Sequence, residues 1–93
     1  MAFARVVSFE GVSDERIEQM KQMADEAPPE GLDSSEMILL HDADGGKALA
    51  IILFDSDDAY RRGDEILNAM PAEDTPGQRT SVARYAVAMR MTS

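Results

Sequence analysis

His41 is the one side chain here suited to exchanging a proton near neutrality, because imidazole changes charge in that range. A base at this position can remove a phenolic or activated C–H proton, leaving a carbanion electron-rich enough to reduce oxygen without a metal. Arg84 and Arg5 are the matching cations: a guanidinium stabilises charge developing on a phenolate or carboxylate, most effectively in a partly dry cavity. Tyr85 and Tyr60 carry hydroxyls that can orient a polar substrate, and Phe54 suits a pocket wall. The candidate catalytic set is therefore His41, Tyr85 and Arg84, and the candidate substrate-binding set is Arg5, Phe54 and Tyr60. Each also has an ordinary reading: arginines paired with helix carboxylates, a histidine on the rim of a turn, and tyrosines as core aromatics.

Other chemistries find no residues. The 93-residue chain has no Cys, which excludes thiol nucleophiles, thiolate metal sites and disulfides. Asp42-x-Asp44-x-Gly46 resembles the start of a calcium loop, but the twelfth position is Leu53, where a bidentate Glu is required. The glycines form no phosphate-cradling loop, and no paired histidines or Ser–His–Asp set can be built at workable spacing. The expectation is no metal and no cofactor.

Six elements must position these residues. Phe3 to Phe9 is a short apolar stretch ending at Glu10-Gly11 and reads as a strand. Ser13 caps a helix whose stripe runs through Ile17, Met20, Ala24 and Ala27 to the stop at Pro28-Pro29. Met37 to His41 and Lys47 to Phe54 form a hairpin around Asp42–Gly46. A second helix opens at Asp55 or Ser56 with acids in its first turn. It carries Ala59, Gly63, Ile66, Leu67 and Met70 inward, with Gly63 weakening it slightly. Pro71 to Gln78 reads as a loop, and a last strand is expected from about Ser81 to Met91.

Strand, helix, strand, strand, helix, strand predicts one α+β domain over residues 1–93. Its fold is ferredoxin-like, a split βαβ with a four-stranded antiparallel sheet in spatial order 4-1-3-2 and both helices on one face. The other face does not alternate to polar, since both parities of Lys47 to Phe54 and of Met37 to Leu40 are apolar. At 10.2 kDa a monomer buries only about 64% of its unfolded surface. Together these predict a homodimer joined through the helix-free sheet face.

The segments Ala4-Arg5-Val6-Val7-Ser8-Phe9-Glu10-Gly11, Gly46-Lys47-Ala48-Leu49-Ala50-Ile51-Ile52-Leu53-Phe54-Asp55-Ser56 and Val82-Ala83-Arg84-Tyr85-Ala86-Val87, in this order of elements, resemble the small dimeric α+β barrel proteins related to antibiotic biosynthesis monooxygenases. The resemblance implies a dimeric α/β barrel, a pocket between sheet and helices, and cofactor-independent oxidation of a small aromatic or polyketide-like substrate. The family pattern often has Trp where Phe54 stands. Haem-degrading relatives rely on an Asn, a His and a Trp; this chain has no Trp and its only Asn is Asn68, which argues against haem degradation. The competing expectation is a non-catalytic small-ligand-binding or structural homodimer.

Nine basic against eighteen acidic residues give a formal charge of −9, which argues against nucleic acid or anionic membrane as a partner. No apolar run is long enough to span a bilayer, and Met1 to Arg5 lacks the start of a signal peptide, so the expected location is cytoplasmic. The bases are unevenly placed, with Arg79, Arg84 and Arg90 in a final stretch free of acids. With strands one and four adjacent, Arg5 joins Arg84 in a local cationic patch.

Overall fold

The computed structural model describes residues 1–23, 32–70 and 75–91. Its elements are β1 (Phe3–Glu10), α1 (Asp14–Met23), β2 (Glu36–Asp42), β3 (Lys47–Phe54), α2 (Asp57–Asn68) and β4 (Gln78–Ala86). The sheet has the order β2-β3-β1-β4 with every neighbour antiparallel, which is the predicted order, and both helices lie on one face. The expected second half of the first helix, with Ala24, Ala27 and Pro28-Pro29, lies outside the described residues.

Local chemistry sets the boundaries. Gly11 turns the chain out of β1 at a φ of 66°, a left-handed value that glycine adopts without strain. The Ser13 hydroxyl then accepts a hydrogen bond from the Arg16 amide at 3.1 Å, satisfying an otherwise orphaned donor of α1. In the hairpin, Asp42 Oδ1 accepts from the Gly45 amide at 3.1 Å and Gly46 takes a φ of 63°. Ser56, in extended geometry, caps α2 by accepting from the Ala59 amide.

Strand parity divides the sheet into two faces. Phe3, Arg5, Val7 and Phe9 of β1 look toward the helices, in register with Phe54, Ile52, Ala50 and Ala48 of β3. Two apolar clusters fill that side. Val7, Phe9, Val12 and Ala48 cluster with Ile17 of α1, and Ile52 and Phe54 cluster with Ala59 and Tyr60 of α2.

The final strand differs from expectation. It begins at Gln78 and ends at Ala86, because a bulge inserts Thr80 opposite the Ser8–Phe9 step and keeps the earlier residues in the ladder. Beyond Ala86 the chain makes one further backbone bond, Val87 N–H to the Ala2 carbonyl at 2.9 Å. It then crosses this end of the sheet, for Arg90 pairs with Glu36 on β2, the opposite edge. The row it passes, Ala4 and Leu53 on the helix-free side, is only 7% and 8% exposed.

This corrects the expectation of a dimeric barrel. The sheet is open, with β2 and β4 as its edges, and does not close on itself. Part of the cover assigned to a second sheet is supplied by the chain's own residues 87–91. The rest of the helix-free face exposes Ile38, Leu40, Leu49 and Tyr85 and is bounded by charge at Glu36 on one end and Glu10, Asp42 and Lys47 on the other. No helix among the described residues is long and apolar enough to cross a membrane.

Candidate functional site

Four of the six predicted site residues come together on the helix side. Arg5 of β1 and Arg84 of β4 are register partners, and two guanidinium groups side by side would repel unless each had an acceptor. α2 supplies them. Arg5 donates from Nε to Asp64 Oδ1 at 2.9 Å and from Nη2 to Asn68 Oδ1 at 2.8 Å, and Arg84 pairs with Asp57. Asp57, Asp64 and Asn68 are spaced seven and four residues apart, which puts them along one helix face. That spacing was readable in the sequence, but only the fold shows that the face lies over β1 and β4.

Aromatic rings complete this corner. The Arg84 guanidinium lies 4.4 Å from the Phe3 ring centre and 4.8 Å from that of Tyr60, within cation–π range of both. Tyr60 meets Phe54 edge-on at 5.6 Å and Phe3 at 6.3 Å. Phe54 is completely buried. Burial, and then the Asp64 carboxylate, push the Tyr60 phenol above its ordinary value of 10.0, while Arg5 and Arg84 pull it the other way. The phenol is thus held as a neutral hydroxyl.

His41 and Tyr85 lie elsewhere. The His41 ring faces α1, where its buried Nε2 has no hydrogen-bond partner and stands 3.8 Å from Asp14 Oδ1. His41 is level with Phe9 of β1, and Arg84 with Arg5. Four residues along the strand and three strand spacings separate them by about 20 Å. Tyr85 points from the opposite face and is 58% exposed. His41, Tyr85 and Arg84 therefore do not converge on a common atom.

A hollow lies on the helix-free side at the hairpin end. It measures about 480 Å³ and opens to solvent between Ser8, Glu10, Leu40, Asp42, Lys47, Leu49 and Thr80, with Phe9, His41 and Ala48 also bordering it. Since the His41 ring points to the other face, strand parity leaves the hollow to the backbone of that residue. Leu40, 48% exposed, and Leu49 give an apolar floor. Lys47 stands directly across from Glu10 on one side and Asp42 on the other, so the polar rim holds two carboxylates and one ammonium. Thr80, the bulge residue, donates through Oγ1 to the Ser8 carbonyl at 3.2 Å. Sequence reasoning passed over Ser8, Glu10, Lys47 and Thr80. The signal available was the pairing of Asp42 with Lys47 across the hairpin; the contribution of Glu10 required the strand order, and that of Thr80 the bulge.

Such a set of groups can grip an apolar body and a charged end. Among the described residues no three His, Cys, Asp or Glu side chains are grouped so as to hold a metal ion, and the chain has no cysteine. The molecule is a small α+β domain of the ferredoxin-like class without metal- or cysteine-based catalytic groups among those residues. The resemblance to the proteins related to antibiotic biosynthesis monooxygenases does not stand: no protein-family model, no curated protein and no solved structure matches this chain.

Proposed function

We propose that this domain is a non-catalytic binding module for a small aromatic ligand bearing an amino group, taken up in the hollow on the helix-free face. The observation that carries the reading is the apolar floor of Leu40 and Leu49 beside a rim whose two carboxylates, Glu10 and Asp42, outnumber the single ammonium of Lys47. An aromatic ring would cover the leucines, and its amino group would pair with the carboxylates, with Lys47 free to meet a carboxylate where the ligand carries one. Binding over catalysis is favoured by the engagement of Arg5 and Arg84 with α2 and by the distance of His41 from them.

Titration with phenethylamine, followed by amide shifts in NMR, tests the reading. Saturable shifts are expected at Glu10, Leu40, Lys47 and Leu49, much weaker ones with phenylpropionate, and about fivefold weaker phenethylamine binding in Glu10→Gln. Shifts that fail to saturate at these positions, or equal responses to both compounds, would remove the proposal.

A further inference from the structure

The two edges of the sheet are not alike. β4 carries the bulge at Thr80 and the charged Arg79 and Arg84, features that blunt an edge against further pairing. β2 is less protected: Glu36–Asp42 is seven residues in regular register with β3, without proline, lysine or bulge, and its charges stand only at its two ends. Among the described residues no strand pairs with its outer side. Met37, Ile38 and Leu40 are exposed on it, projecting on both faces, so an added strand would find unpaired backbone groups and apolar contact above and below.

The charges select the occupant. On the helix-free face β2 presents Glu36, Ile38, Leu40 and Asp42 at alternate positions, acid, apolar, apolar, acid. Two copies of β2 pairing antiparallel about Leu39 would place Glu36 opposite Asp42 twice over, and each copy brings a net charge of −9. A strand with bases at the two ends reverses both penalties. That Glu36 accepts a guanidinium is already visible in its pairing with Arg90, which is part-exposed and which the base of a docked strand displaces.

We infer that the outer edge of β2 is a docking site for an extended peptide segment carrying two basic residues six positions apart, with apolar β-branched residues at the alternate positions between them. The segment adds as a fifth strand, bound through its backbone and selected by Glu36 and Asp42. The site shares Leu40 and Asp42 with the border of the hollow, but Glu36 and the outer backbone of β2 lie outside it, so strand addition does not depend on ligand binding there.

The capped heptapeptide KTVTVTK is the probe, read by amide hydrogen exchange and NMR shifts on the intact chain. It should slow exchange of the outward amides of β2 about threefold or more and shift β2 resonances ahead of those of Leu49 and Glu10. The acidic counterpart ETVTVTE, and KTVTVTK methylated on its central amides, should leave β2 unchanged. In Glu36→Lys the response to KTVTVTK should weaken. Unaltered β2 exchange with KTVTVTK, an equal response to ETVTVTE, or undiminished binding of the methylated peptide would each overturn the inference.

Discussion

Arg5 is 3% exposed, and a guanidinium so withdrawn from water is tolerable only because Asp64 and Asn68 accept hydrogen bonds from it. The same carboxylate acts on Tyr60, which it and burial hold in the neutral form. This has a signed consequence for pH. Because the folded chain keeps the phenolic proton more tightly than the unfolded chain, the stabilisation is complete below pH 10 and is lost as pH rises from there through the folded-state value. In an alkaline titration followed by tyrosinate absorbance, Tyr60 should ionise in a late step that Tyr60→Phe abolishes. A single step at the ordinary phenol value in the wild type would contradict the packing of Tyr60 among Phe3, Phe54 and Arg84. These charges and rings form one unit, so a change at Asp64 reaches Arg5 and Tyr60 together.

At the scale of elements, the junction of α2 with β3 depends on a missing side chain. A methyl group at Gly63 would sit 2.4 Å from two ring atoms of Phe54 and 3.2 Å from Leu32. The ring has no solvent to move into. Gly63→Ala should therefore destabilise the fold: overpacking costs about 1–3 kcal/mol, against a gain in helix propensity of about 1 kcal/mol. A urea midpoint equal to or above that of the wild type would show that α2 can lift off. Composition suggested the opposite emphasis, Gly63 as a mere weakness in the helix, because propensity is local and the close approach of Phe54 is not. The elements that were legible are those specified locally. β3 matches its apolar run from Lys47 to Phe54, and Ser13 and Ser56 cap the helices as their spacing suggests. β4 was misplaced because Gln78 to Thr80 carry no apolar signal, and their pairing is imposed by β1 through the bulge. Of the candidate site residues, the grouping of Arg5, Arg84, Phe54 and Tyr60 follows from strand order plus α2, whereas the face taken by His41 and Tyr85 required the register.

At the scale of the whole molecule, a charge of −9 is confined to a body with a radius of gyration of 13.2 Å. Its acids interact across distances comparable to the screening length of about 10 Å at 0.1 M salt. Screening weakens the Arg84–Asp57 and Arg90–Glu36 pairs too, but these are part-exposed and worth little individually. The net repulsion dominates, so the melting temperature should rise by a few degrees between about 0.01 M and 0.5 M sodium chloride. A fall over that range would mean that the specific pairs outweigh the overall repulsion.

The position of β1 between β3 and β4 bears on how the molecule is made. Of the four strands β1 leaves the ribosome first and is central, and one of its flanks stays vacant until residues 78–86 have emerged. The nascent chain can close the β1–β3 ladder early but must carry an open seam until β4 has emerged. A ribosome stalled with β4 still in the exit tunnel should therefore hold a protease-sensitive three-stranded intermediate, and release should convert it to the resistant form.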